Sequence, residues 1–180
     1  MTAWCILFIA QSSLVAAGRV DRHKQLGVVG IVLAAAIVTL GTYVTISAAA
    51  REVRAHVVGQ FHLLLGFNLL NLLVFLGLFL AAVFYRRRSS MHKRLMLLAT
   101  ISLLPPAIAR ATLLLTANQG AQMLAVDIVV VAVVLIDVVR HRRLHPAFGW
   151  GSLAMLVALN AGYEAFQTDK WTGFVTRLFT

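Results

Sequence analysis

The chain has 180 residues, of which 61% are hydrophobic and 12% charged, and its mean hydropathy is +0.88. A soluble domain averages roughly 45–50% apolar and about 25% charged residues, so a water-soluble fold of this length could not bury so much apolar surface. The net charge of +10 does not indicate a nucleic-acid partner, because the basic residues lie mainly in short segments between apolar runs. Such segments are typical of topology determinants that contact anionic lipid headgroups.

Six apolar stretches follow one another along the chain and predict an all-α fold. In lipid every backbone amide must find a partner within the protein, and helices satisfy this requirement internally. We expect an integral membrane bundle of six transmembrane helices over residues 1–166, with an interfacial C-terminal tail over 167–180. The predicted spans are residues 2–17, 26–50, 62–85, 95–115, 122–139 and 147–166. Pro105 and Pro106 lie in the fourth span and predict a kink there.

The basic residues alternate between the predicted loops and so orient the bundle. Lys and Arg number three, two, five, zero and three in the five successive loops. Because positively charged loops stay in the cytoplasm, we predict a bacterial-type inner-membrane protein with loops 18–25, 86–94 and 140–146 inside and both termini outside. An outside N-terminus directly before a short span is unusual, so a seven-helix protein lacking its first helix is the alternative.

Each of these basic loops carries a histidine tetrad. The tetrads read H-K-Q-L at His23–Leu26, H-K-R-L at His92–Leu95 and H-R-R-L at His141–Leu144. Their recurrence indicates either a repeated helical hairpin or independent selection for basic loops. The candidate cytoplasmic-face cluster consists of His23, Lys24, His92, Lys93, Arg94, His141, Arg142 and Arg143.

Three interpretations of the tetrads remain open at this point. The first is contact with anionic lipid headgroups, in which the histidines are only tolerated among basic neighbours. The second is ligation of haem or a metal ion by imidazole. The third is a site for a lipid phosphate or polyprenyl phosphate, which three basic tetrads converging on one face would supply with charge and hydrogen-bond donors.

Several of these motifs resemble those of a known group of proteins. H-K-Q-L-G at His23–Gly27, H-K-R-L-M at His92–Met96 and the L-L-P-P-A-I-A-R run ending at Arg110 resemble an uncharacterised family of bacterial inner-membrane proteins. The resemblance implies a multi-pass protein and carries no assigned activity. A weaker likeness to cytochrome b561 and ferric-reductase-like proteins, whose helices present histidines near their ends, implies haem b as a cofactor.

Ionisable residues inside the predicted spans need partners, because each costs about 2.5–3.5 kcal/mol on insertion scales. Arg110 and Asp127 are equally far from the middle of the uncharged fourth loop, so antiparallel helices would place them at one depth. We predict an intramembrane Arg110–Asp127 pair, either structural or available to anchor an anion. For Asp137 we expect a local salt bridge with Arg140 or His141.

A second group of polar residues forms a further candidate site. Asn68 and Asn71 share a face of the third span, and Asn160 and Glu164 share a face of the sixth. Such residues usually bond across helices inside the bundle. His62, at the outer end of the third span, is expected to join Glu164 in a proton or metal site if a third ligand exists.

The chain contains no P-loop, G-x-S-x-G or H-E-x-x-H motif, and no catalytic residue is identified. We therefore favour a non-enzymatic membrane protein that binds or moves a small or lipidic anion, with the lipid bilayer as its partner and no resident cofactor. The enzyme alternatives are a haem-carrying electron-transfer protein and a metal-dependent membrane hydrolase. Composition leaves the oligomeric state open.

Overall fold

The computed structural model describes residues 2–54, 61–108 and 119–179, and its regular structure over these ranges is helical, without a strand. The prediction of an all-α fold is confirmed. Two helical stretches are long and apolar enough to cross a membrane, Val20–Glu52 and His62–Phe84. The helices are α1 (Thr2–Ala16), α2 (Val20–Arg54), α3 (Phe61–Phe84), α4 (Ser89–Ser102), α5 (Gln119–His141), α6 (Pro146–Phe166) and α7 (Asp169–Phe179).

The chain forms two compact units, Met1–Val44 and Thr45–Thr180. In the N-terminal unit, Gly18 has a φ of +73°, a left-handed conformation that glycine adopts without a steric penalty. The amide of Gly18 donates to the Val15 carbonyl at 3.1 Å and that of Arg19 to the Leu14 carbonyl at 2.8 Å. This Schellman arrangement ends α1, and α2 begins at Val20, two residues after Gly18. Most of the predicted loop 18–25 is therefore the start of a helix.

In the C-terminal unit, α3, α4 and α6 pack against one another, and α5 contacts α4 and α6. The core between them is apolar and includes Leu98, Val130 and Met155, each almost fully buried. A Cβ on Gly66 would lie 2.6 Å from the ring of Phe166, so the absent side chain permits close approach of α3 and α6. Small residues serve this purpose at many membrane helix interfaces.

The predicted fourth span, 95–115, differs from the structure at its start and in its interior, and its end lies outside the described residues. Helix α4 begins at Ser89, inside the predicted loop, and ends at Ser102. Residues 105–108 are again helical, and the Leu104 carbonyl accepts hydrogen bonds from the amides of Ala107 and Ile108. The two prolines thus begin a new helical segment instead of kinking a continuous helix, because proline fits the first turn but not the interior.

The predicted tail, residues 167–180, contains the amphipathic helix α7. Val175 is fully buried there, and the indole nitrogen Nε1 of Trp171 donates to the His62 carbonyl at 2.7 Å. Phe174 and Leu178 of the same helix are exposed. The tail is therefore attached to α3 through one face, and its placement at the membrane interface remains a prediction.

Candidate functional site

The most extensive polar network among the described residues joins α4 to α5. Arg94 donates from Nε to Oδ2 of Asp137 at 2.9 Å and from Nη2 to Oδ1 at 2.8 Å, which is a bidentate ion pair. Arg94 is only 4% exposed, and the carboxylate side chain is 13% exposed. A guanidinium in such surroundings requires acceptors for its donors, because an unpaired buried charge is strongly destabilising.

The remaining guanidinium nitrogen of Arg94 is also bonded. Nη1 donates to the carbonyl of Ser90 at 3.1 Å and to its hydroxyl at 2.9 Å, one helical turn earlier on α4. The guanidinium carbon lies 5.7 Å from the centre of the Phe148 ring on α6, a cation–π contact. Arg94 is therefore held in place by contacts with three helices.

His145 links this network to the start of α6. Its Nδ1 accepts from the Ala147 amide at 3.2 Å and so caps the helix, with Pro146 at the first helical position. Nε2 lies 2.6 Å from the hydroxyl of Ser90. Since Nδ1 is an acceptor, a neutral ring carries its proton on Nε2 and donates it to Ser90. This tautomer is opposite to the one that would take a proton from a serine nucleophile.

His141 contributes a second imidazole at the end of α5. Nδ1 lies 2.9 Å from the carbonyl of Asp137 and 3.2 Å from its Oδ1, so this nitrogen carries a proton and donates. The side chain is 40% exposed. The following residue, Arg142, has a φ of +56°, and this left-handed conformation ends the helix.

These residues surround a cavity of about 190 Å³, here called the basic cavity. Its volume is below the roughly 300–1,000 Å³ of sites that hold drug-sized ligands, so it suits a small group. Three of its lining side chains are cationic, and Asp137 neutralises only one of them. Its lining residues are Ser90, Lys93, Arg94, His141, Arg143 and His145.

The basic residues around the cavity affect the pKa of His145. Burial and the positive charge of Arg94 lower the pKa of this imidazole, and Arg143 and Lys93 act in the same direction, while Asp137 opposes them. His145 is therefore neutral at neutral pH and remains a cap and a hydrogen-bond donor. The surplus of positive charge comes from the longer basic side chains.

Within the C-terminal unit, the structure brings together parts of the second and the third predicted tetrads. Lys93 and Arg94 meet His141 and Arg143 at the basic cavity. His92, the residue before Lys93, points elsewhere, and its Nδ1 donates to the Ala82 carbonyl of α3 at 2.8 Å. The tetrads also differ in position, since the second lies within α4 whereas the third leaves the end of α5.

The first tetrad lies in the N-terminal unit, and one arginine of the third is directed to solvent. His23 is half-buried and Lys24 is exposed in the first turns of α2, within the N-terminal unit. Lys24 lies 3.8 Å from Asp21 in a local ion pair. Arg142 is exposed and is not among the residues that line the basic cavity.

The predicted Arg110–Asp127 pair involves a residue outside the described ranges, because Arg110 lies between 108 and 119. Asp127 is described and is half-buried on α5. The side-chain amide of Asn160 on α6 donates to its two carboxylate oxygens at 3.2 and 3.3 Å. A second contact of the same amide goes to the Leu156 carbonyl at 3.0 Å.

The other predicted polar residues lie on α3 and α6. Asn71 is 3% exposed and donates to the Phe67 carbonyl of its own helix at 2.7 Å. Asn68 and His62 are half-buried on the same helix, whereas Glu164 on α6 is exposed. Among the described residues, no group of three or more His, Cys, Asp or Glu side chains is arranged to hold a metal ion.

Sequence reasoning missed the pairing of Arg94 with Asp137 and the roles of Ser90 and His145. The expected local contact of Asp137 with His141 is present, but its shorter bonds go to Arg94 on another helix. The sequence feature that could have indicated this pair is the position of each residue along its helix, because Arg94 is the sixth residue of α4 and Asp137 lies four residues before the end of α5.

No protein-family model, curated protein or solved structure matches the chain.

Proposed function

We propose that the chain is a six-span protein of a bacterial-type inner membrane that binds, or moves, a phosphate-bearing anion through the basic cavity. The membrane part of the proposal is supported by α5, whose outward side is apolar along its length. Five side chains at helical spacing are between 46% and 71% exposed: Leu124, Ile128, Val131, Leu135 and Val139. Water would penalise such a stripe, whereas lipid solvates it.

The opposite face of α5 supports the same assignment. Val126 and Val130 are almost fully buried in the core, and Asp137 follows on that side in its ion pair. Apart from Asp127 and Asp137, both bonded to neighbouring helices, α5 is apolar on its packed and its exposed sides over residues 123–139, which is typical of a membrane span. Helix α6 has 21 residues, which corresponds to about 31 Å, close to the thickness of a bilayer core.

The single observation that carries the anion proposal is that the cationic side chains of Lys93 and Arg143 line one cavity beside the immobilised Arg94–Asp137 ion pair. All three guanidinium nitrogens of Arg94 are bonded to Asp137 or Ser90, and Asp137 neutralises its charge, so the net positive charge at the cavity is that of Lys93 and Arg143. Lys93 and Arg143 lie at the same cavity on exposed positions and supply the donors. Phosphate is well matched, because ammonium and guanidinium groups form strong charge-assisted hydrogen bonds with its oxygens.

The proposed orientation places this cavity at the cytoplasmic face. The segment just before α4 contains three consecutive arginines, and the connection from α5 to α6 contains two more. Basic segments of this kind remain on the cytoplasmic side and meet anionic lipids there. The ligand would therefore reach the cavity from the cytoplasm or from the inner leaflet.

The anion proposal is tested by isothermal calorimetry on the full chain in neutral detergent, with glycerol 3-phosphate as the titrant. We expect saturable binding that weakens at least tenfold in Lys93→Ala and in Arg143→Ala. Arg87→Ala is the matched control, since Arg87 is exposed in the same basic segment but does not line the cavity. Equal weakening in all three variants would mean unspecific charge attraction, and the proposal would fail.

A further inference from the structure

An apolar groove adjoins the basic cavity on its α4–α5 side. The groove has a volume of about 390 Å³. Apolar side chains from three helices form most of its wall, namely Leu97 of α4, Val133 and Ile136 of α5, and Phe148 of α6. Its polar members are Lys93, Asp137, Arg140 and His141.

The groove and the basic cavity share two side chains, Lys93 and His141. A ligand that contacts Lys93 and His141 would therefore border both the groove and the basic cavity. Arg140 adds a further positive charge on the groove side. The combined site is basic at its centre and apolar along one arm.

The apolar arm is also open to the exterior. Ile136 is 66% exposed while lining the groove. Leu135, the residue before Ile136, belongs to the exposed apolar stripe of α5. If α5 spans the bilayer as proposed, an apolar chain in the groove stays in contact with lipid and does not need to cross a polar surface.

We propose that the ligand is a lipid with a terminal phosphate, whose headgroup occupies the basic cavity and whose hydrocarbon chain lies along the α4–α5 groove. This rests on the proposed function and adds the identity of the ligand class. The charge of the cavity matches a phosphate monoester, which has no cationic group to meet Lys93 and Arg143. A zwitterionic headgroup such as phosphocholine would bring its ammonium against the same two cations, and the small cavity leaves it little room.

The experiment compares dioleoyl phosphatidic acid, dioleoyl phosphatidylcholine and glycerol 3-phosphate on the full chain in neutral detergent micelles. Lipid binding is followed by native mass spectrometry, and the soluble phosphate is followed by calorimetry. We expect phosphatidic acid to bind at least tenfold more tightly than either of the other two.

A matched pair of variants tests the groove separately from the cavity. Ile136→Trp fills the groove at an exposed position and should weaken phosphatidic acid at least fivefold while leaving glycerol 3-phosphate unchanged. Leu135→Trp adds the same ring at a neighbouring exposed position that does not line the groove, and should leave both ligands unchanged.

The outcomes separate the two proposals. If glycerol 3-phosphate binds as tightly as phosphatidic acid and Ile136→Trp changes neither, the ligand is a soluble anion; the lipid proposal is overturned and the anion proposal stands. If phosphatidylcholine binds as well as phosphatidic acid, the groove is an unselective lipid contact and the lipid phosphate proposal is overturned. If none of the three binds, both proposals fail.

Discussion

Arg94 of α4 and Asp137 of α5 are 43 positions apart in the chain and form a bidentate ion pair with both N–O distances below 3 Å. The pair fixes the register of two helices whose connection lies partly outside the described residues. Because Ser90 and Phe148 also contact the guanidinium, the pair holds the start of α6 as well. Arg94 also lines the basic cavity.

Removing one member of the pair should destabilise the protein strongly. We expect Arg94→Ala to cost about 3–5 kcal/mol in the free energy of unfolding, because the Asp137 carboxylate would remain buried without its guanidinium. The measurement is unfolding in mixed dodecyl maltoside and SDS micelles, followed by circular dichroism. The double variant Arg94→Leu with Asp137→Leu should recover most of the loss, since no buried charge remains. Equal losses in the single and double variants would contradict this account.

The close approach of α3 and α6 at Gly66 should not tolerate a methyl group. A Cβ there meets the Phe166 ring, so we expect Gly66→Ala to cost about 1–3 kcal/mol through overpacking. Gly77→Ala is the control on the same helix, where a Cβ meets no atom within 4 Å. It should be neutral or stabilising by up to about 1 kcal/mol through helix propensity. The same micelle unfolding measurement distinguishes the two variants, and equal effects would refute the packing argument.

Stability should fall on mild acidification because of His145. Burial and Arg94 lower the pKa of this imidazole below its ordinary value of 6.5. The unfolded chain therefore binds the proton more readily than the folded one, so the free energy of unfolding is at its plateau above pH 6.5. It should decline as the pH falls through 6.5 toward the lowered pKa of the folded state.

The variant that isolates this effect is His145→Asn, which keeps a side-chain oxygen to accept the Ala147 amide but does not titrate. Its free energy of unfolding should vary less between pH 7.5 and 5.5 than that of the parent chain. His145→Ala lacks the cap and should lose about 0.5–2 kcal/mol at pH 7.5. A parent and a His145→Asn variant with the same pH profile would assign the pH dependence to other groups.

The hydrogen bonds from Asn160 to Asp127 should contribute modestly. We expect Asn160→Leu to cost about 0.6 kcal/mol, the average for polar contacts between membrane helices, and no more than roughly 1.7 kcal/mol. Leu156 is half-buried one turn earlier on the same helix, and Leu156→Ala serves as a comparison for a purely apolar loss. A loss above about 3 kcal/mol in Asn160→Leu would show that the amide supports a larger polar network around Asp127.

The helical class and the polar ends of the helices follow directly from composition and patterning. Long apolar runs force backbone hydrogen bonds into helices, and this requires no knowledge of packing. The contacts between helices were harder to predict, because the feature that the tetrads repeat is a histidine, whereas the residue that joins the helices is Arg94. The equal-distance argument that suggested Arg110 with Asp127 does not select Arg94 with Asp137, because these two residues are unequally far from the middle of the fourth loop.

Helix boundaries near prolines and glycines were the other difficulty. The break at Pro105 depends on how Leu103 and Leu104 pack, and Leu103 is 4% exposed in the structure. The start of α2 just after Gly18 depends on a left-handed turn that charge counting alone does not reveal. Basic residues predicted for loops therefore occur in the first turns of helices, where a bilayer would still meet them at its surface.

The most direct test of the account is the sidedness of the two ends of α6. Ser90, three residues after Arg87, bonds to His145 at one end of this 21-residue helix, and Thr168 follows the other end. Single cysteines at positions 87 and 168, in a Cys5→Ser background, are labelled with a membrane-impermeant maleimide in intact cells and in inverted vesicles. We predict labelling of position 168 only in cells whose inner membrane is accessible from outside, and of position 87 only in inverted vesicles. Labelling of both positions from the same side would contradict the account.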